Sequence, residues 1–136
     1  MVKPGAVPGN LLAAAVAAMK NAYAPYSKFA VGAALETKAG QIFTGCNVEN
    51  ASYGATLCAE RVAIFSAVSQ GHREFTRLVL ISKNPEPITP CGICRQVMAE
   101  FFSPEAEIIC YGSNDSTATV YKLADLLPAA FTNKNL

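Results

Sequence analysis

Five cysteines and one glutamate are the residues of this chain whose types and spacing could do chemistry. Cys91-Gly92-Ile93-Cys94 is a C-x-x-C pair, open to three readings: half of a zinc site, a thioredoxin-like redox pair, or two packed thiols. Thr89-Pro90 ahead of it has the form of an N-cap and a first helical residue, which predicts a helix through Val97 and Met98 to Phe101. Sulfurs at a helix N-terminus lie near unpaired N–H groups and the positive end of the dipole, which stabilises thiolates for metal or redox work alike. Cys58-Ala59-Glu60 opens a second predicted helix that runs to Ser69 with Gly71 as its C-cap, and it offers a third thiolate under the same influence. Three thiolates suit a catalytic zinc, which keeps its fourth position for water, whereas a structural zinc takes four protein ligands.

Glu60 is harder to place. Two residues along a helix turn about 200°, which would point Cys58 and Glu60 apart. They can face one cavity only if Cys58 sits at the helix start with non-helical dihedrals. An isolated glutamate in a first turn is by default a surface residue that favours the dipole; the partner cysteines turn the reading towards a carboxylate beside a metal. Cys46 and Cys110 fall in predicted strands and read as core thiols. His72, just past a helix end, reads as a solvated capping residue.

These residues need a scaffold, and the chain around them alternates strands with helices. A first helix reads from Asn10, its cap, to Met19, with Pro25 as a stop. Lys3, the apolar run Leu11–Met19 and Ala22-Tyr23-Ala24 resemble a signal peptide, but the run is mostly alanine without a strong hydrophobic block, so the helix is the better reading. Phe29–Thr37 and Ile42–Cys46 read as a hairpin around Lys38-Ala39-Gly40-Gln41. Asn47–Leu57 reads as a loop, and loops on rigid scaffolds tend to carry function. Phe75–Ile81 contains Leu78-Val79-Leu80-Ile81, too apolar for a one-sided strand and therefore central. Ile108–Tyr111, Thr117–Tyr121 and a helical turn Leu123–Leu127 complete the order. The pattern predicts an α/β sandwich whose mixed sheet begins in a hairpin and continues through right-handed crossovers.

Composition narrows the partners. With 136 residues the chain is expected to be one domain, 1–136. A net charge of +1 argues against a face that grips polynucleotide by its phosphates, so no nucleic acid is expected. Uncharged apolar runs of about 18 residues are absent, so no membrane span is expected. An odd number of cysteines favours free thiols in a reducing compartment, the cytoplasm. Only 15% of residues are charged, below the ~25% average, which points to surface covered by homo-oligomer contacts.

Taken together, Cys58-Ala59-Glu60-Arg61 and Pro90-Cys91-Gly92-Ile93-Cys94-Arg95-Gln96 resemble the zinc-dependent cytidine deaminases, in particular the small homotetrameric three-cysteine kind. The resemblance extends through Tyr23–Phe29, Gly45–Tyr53 and Leu126–Phe131. It implies a three-layer α-β-α sandwich with a mixed five-stranded sheet. It also implies one zinc ion per chain on Cys58, Cys91 and Cys94, with Glu60 as the catalytic proton shuttle and Arg61 hydrogen-bonded to the cysteine ligands. Asn47 and Glu49, flanking Val48, would hold the ribose hydroxyls. Phe29 would stack on the base, and the Ala59 N–H would meet its O2. Ala51 and Tyr53 would reach towards a neighbouring subunit, and Phe131 would cover the substrate across that interface. The implied activity is hydrolysis of free cytidine and deoxycytidine to uridine and deoxyuridine in pyrimidine salvage; a relative acting on another aminated nucleoside is the alternative. Ile93 stands where alanine is commoner, and Gly54–Leu57 is the family's variable stretch.

Overall fold

The structure, a computed structural model, describes residues 9–114 and 118–136. Helix α1 (Gly9–Met19) precedes the hairpin β1 (Val31–Thr37) and β2 (Ile42–Cys46), and a loop with a 3-10 turn at Tyr53–Ala55 leads to α2 (Ala59–Ser69). Then come β3 (Phe75–Ser82), α3 (Gly92–Phe101), β4 (Phe102–Tyr111), β5 (Ala118–Lys122) and α4 (Leu123–Leu126), with a last 3-10 turn at Asn133–Asn135. The five strands form one sheet in the order β2-β1-β3-β4-β5. β1 is antiparallel to β2 and β3, β3 is parallel to β4, and β4 is antiparallel to β5. The continuous apolar run of β3 therefore does lie at the centre, covered on both faces.

Strand alternation sorts the core into two halves. Ala34, Val79, Ile81, Ile109 and Tyr111 face α1 and pack with its Leu11 and Ala15. Ala33, Leu35, Leu78, Leu80, Ile108 and Cys110 face the other way, in one cluster with Ala63 of α2, Met98 of α3 and Leu126 of α4. The mixed three-layer sandwich is thus as expected. Leu80 is fully buried in the second half, and trimming such a leucine to alanine costs about 2–5 kcal/mol.

Two glycines let the helices approach the sheet. A Cβ at Gly32 would lie 2.1 Å from the Ala15 carbonyl oxygen of α1, and one at Gly45 would lie 2.5 Å from both the Ala59 carbonyl oxygen and the Ala63 nitrogen of α2. Gly45 is thus the seat of the helix that Cys58 caps.

β2, β3 and β4 all run parallel, since β2 and β3 are each antiparallel to β1, so β2-α2-β3, which passes over β1, and β3-α3-β4 are the successive crossovers that follow the hairpin, as expected. Other expectations are corrected. Asn10 lies within α1 and is not its cap. α3 is capped by Cys91, whose extended dihedrals (φ −70°, ψ 169°) leave Thr89 and Pro90 outside the helix. β4 starts at Phe102, six residues earlier than read, since its register against β3 breaks between Phe75 and Arg77 and Ser103-Pro104-Glu105 disguise it. β5 is described from Ala118; Thr117 falls outside the described residues. His72 is partly covered, its ring tilted against Phe43 with centroids 5.1 Å apart, because Phe43 projects from β2 onto the end of α2.

Candidate active site

Two helix N-termini meet at the site. Cys58 caps α2 with extended dihedrals (φ −71°, ψ 155°), and its carbonyl accepts the first helical hydrogen bond from the Val62 N–H at 3.2 Å. Cys91 does the same for α3, accepting from the Arg95 N–H at 3.0 Å. Because Cys58 lies outside the helix proper, its sulfur is free of the helical rotation that would carry it away from Glu60. Cys94 follows in the first turn of α3, fully buried.

The three sulfurs lie within 4.8 Å of one another, the one such group of potential ligands among the described residues. The Cys58 and Cys91 sulfurs are 3.8 Å apart, matching the edge of about 3.8 Å that a tetrahedron with ~2.3 Å zinc–sulfur bonds requires. The all-sulfur donor set and the spacing both fit zinc. A hydrogen bond from Cys94, aided by Arg61 and Cys91, pushes the Cys58 thiol down to about 5, while that shared proton and burial push Cys94 up. Arg61 Nη2 lies 3.5 Å from the Cys58 sulfur and 3.5 Å from the Thr56 carbonyl oxygen.

Glu60 is 4% exposed. Burial pushes its carboxyl up to about 7, and the charge on Cys58 acts in the same direction. A carboxyl so placed can both take and give a proton near neutral pH.

A pocket of about 240 Å³ opens beside these groups, lined among others by Phe29, Asn47, Glu49, Ala59, Glu60 and Cys91. Its polar wall is built by main-chain pairing: Tyr23 N–H donates to the Asn47 carbonyl and Glu49 N–H to the Tyr23 carbonyl, while Val48 exchanges both bonds with Leu57. Asn47 is buried, its Nδ2 donating to the Phe29 carbonyl at 2.7 Å and its Oδ1 accepting from the Val31 N–H at 2.9 Å. Glu49 Oε1 accepts from the Tyr26 and Ser27 N–H groups, and Oε2 from the Ser27 hydroxyl, which holds the carboxyl below its ordinary range. Each of these side chains keeps unused capacity for a ligand.

Four expected residues stand apart from this pocket. Val48 contributes through its backbone; Ala51 is exposed on the loop; Tyr53 is 75% exposed with its ring edge-on to Tyr26; and Phe131 is 60% exposed near the C-terminus. Sequence reasoning missed Ser27, Ile88 and Thr89, which also line the pocket. Ser27 could have been found from the Tyr23–Phe29 stretch, and Thr89 from its place just before the cysteine pair. Lys28, between Ser27 and Phe29, has φ +60°, a conformation unusual for a residue with a side chain. It sharply turns the chain that presents Phe29.

A larger cavity of about 650 Å³ lies between the end of α3 and the C-terminal segment. None of the three clustered cysteines lines it, so the chemistry belongs to the smaller pocket.

Comparison with known proteins agrees. The family model for the cytidine and deoxycytidylate deaminase zinc-binding region matches residues 8–118. A cytidine deaminase of Sporosarcina psychrophila is 45% identical over 134 residues, covering 93% of each chain. One of Halalkalibacterium halodurans is 42% identical over 126 residues, 93% of this chain and 95% of that one. The crystal structure of cytidine deaminase from Burkholderia pseudomallei superposes with a TM-score of 0.87 at 48% identity, covering 92% of this chain and 99% of that chain. The chain therefore belongs to the zinc-binding cytidine and deoxycytidylate deaminase family. It is an enzyme of the zinc-dependent deaminase class.

Proposed function

We propose that this chain hydrolyses the C4 amine of free cytidine and deoxycytidine, releasing ammonia and leaving uridine and deoxyuridine, as a step of pyrimidine salvage. The observation that carries the reading is a buried carboxylate, Glu60, sharing one pocket with ligands of a three-thiolate cluster. Cys58, Cys91 and Cys94 would hold the zinc. Bound there, zinc supplies the Lewis acidity that makes a water nucleophilic near neutral pH. Glu60 takes a proton from the attacking water and passes it to ring N3 as the oxygen bonds to C4. It then carries the second proton to the amine nitrogen, the C4–N bond breaks, and the C4 carbonyl forms. Arg61 offsets the negative charge of three thiolates through its bond to Cys58.

Phe29 stacks on the pyrimidine, the Ala59 N–H binds the base O2, and Asn47 and Glu49 take the ribose hydroxyls with Val48 between them. A neutral sugar suits this polar wall, and the +1 net charge suits a free nucleoside in preference to nucleic acid. Ala51, Tyr53 and Phe131 serve a shared site in a homotetramer of single-domain subunits spanning 1–136. The exposure of Tyr53 and Phe131 supports that reading, since apolar rings held outside their own pocket need a partner surface. Five free cysteines support a reducing, cytoplasmic location. No described helix is long and apolar enough to cross a membrane.

The test is direct: follow cytidine loss by its ultraviolet change and ammonia release, strip the zinc with a chelator, and add it back. Activity lost with the metal and restored with it supports the reading. Turnover that survives complete metal removal, or no turnover of cytidine by the zinc-loaded enzyme, overturns it.

A further inference from the structure

Arg95 follows Cys94 on α3, and its guanidinium joins two distant stretches of chain. Its Nε–H donates to the Pro90 carbonyl at 2.7 Å, its Nη2 to the Thr89 hydroxyl at 3.0 Å, and its Nη1 to the Leu126 carbonyl at 2.8 Å. Residues 87–90 belong to no helix or strand, so this stretch takes its shape from contacts such as these. Yet Ile88 and Thr89 line the pocket beside Glu60, and Pro90 leads directly into Cys91. Leu126 ends α4, where a helix leaves carbonyls without partners of its own. From there the chain runs to Phe131, whose carbonyl accepts from Gln96 Nε2 at 2.8 Å.

The two α3 cysteines differ in how they are held. Cys94 is buried within the helix, whereas Cys91 is exposed and sits at the junction with the irregular stretch. We infer that Arg95 is a positioning residue for the metal site: its fork fixes Thr89 and Pro90 against α3, sets where Cys91 presents its sulfur, and anchors the segment leading to Phe131. The inference rests on the zinc reading above. Arginine is needed because its planar fork donates in several fixed directions at once; a lysine ammonium on a flexible stem does not reproduce that arrangement.

The experiment compares wild type, Arg95→Lys, Thr89→Val and Arg73→Lys. Zinc release to a colorimetric chelator is timed, and the thiolate-to-cobalt absorption band is recorded after cobalt substitution. Arg95→Lys is expected to shift the cobalt band and to release zinc faster, by roughly 10-fold to 100-fold where the affinity lost with a group that orients metal ligands falls on the release rate. Thr89→Val should move both readouts in the same direction by less. Arg73→Lys is the control: Arg73 donates to the Val68 carbonyl at 2.6 Å, at the far end of α2, and its variant should match wild type. A folded Arg95→Lys with unchanged release and cobalt band overturns the inference. Should that variant not fold, Thr89→Val with wild-type release overturns it. Neither readout uses substrate, so failure of the wild type to act on cytidine would contradict the activity alone, while a wild type that binds no zinc would overturn the zinc reading and this inference with it.

Discussion

The chemistry of the site turns on one backbone detail at Cys58. Its extended dihedrals place it before the helix, which lets a cysteine and a glutamate two residues apart serve one cavity. The sequence could pose that requirement through Cys-x-Glu at a helix start, because capping is a local property. It could not reveal that Ser27 holds Glu49, since that bond spans 22 residues. Cys94→Ala removes a fully buried sulfur of the proposed zinc site and should leave a protein with almost no zinc by atomic absorption, whereas Cys46→Ala should keep a full complement. Cys110 gives a pH prediction. Burial pushes its thiol from 9.0 up to about 12, so above pH 9 the unfolded chain releases a proton that the folded chain retains. Its contribution to stability is therefore complete below pH 9 and is lost as pH rises towards 12. Urea midpoints should fall less over that interval for Cys110→Ala than for wild type; equal slopes would count against a buried protonated thiol.

At the scale of elements, the site depends on how closely α2 lies on β2. The Cβ of Gly45→Ala would meet two main-chain atoms of α2 at 2.5 Å, and backbone cannot swing aside as a side chain can. The helix must shift, carrying Cys58 and Glu60 with it. Such overpacking costs about 1–3 kcal/mol, and a displacement near 1 Å at a catalytic group can cost roughly 100-fold in rate. Gly45→Ala should therefore lower both the unfolding free energy and kcat/KM, while Gly54→Ala, where nothing lies within 4 Å of the added carbon, should leave the unfolding free energy within about 0.5 kcal/mol of wild type. The central strand, the hairpin and α2 could be read from the sequence because their apolar patterns are strong. The beginning of β4 could not, as its one pairing there, Phe75 with Phe102, is separated from the regular ladder by a polar stretch. The cap of α3 differs from its sequence pattern for a related reason: Thr89-Pro90 has the right residue types, but the Thr89 hydroxyl and the Pro90 carbonyl accept from Arg95.

For the whole molecule, the shortage of charge acquires a structural location. Tyr53, Ile93 and Phe131 are all more than half exposed, and the first and last are the rings expected to reach a neighbouring subunit. Light scattering should give a mass that is a multiple of 14.3 kDa, four subunits in the proposed assembly. Co-assembled Phe131→Ala and Glu60→Gln subunits should show activity that depends on how the two kinds combine; strictly independent subunits would contradict a shared site. The most direct test of the mechanism is cytidine turnover by Glu60→Gln, measured on protein whose zinc content has been counted. Retained zinc with turnover reduced by roughly 100-fold to 10,000-fold is the predicted result, and full turnover in the zinc-loaded variant would contradict the assignment of Glu60 as proton shuttle.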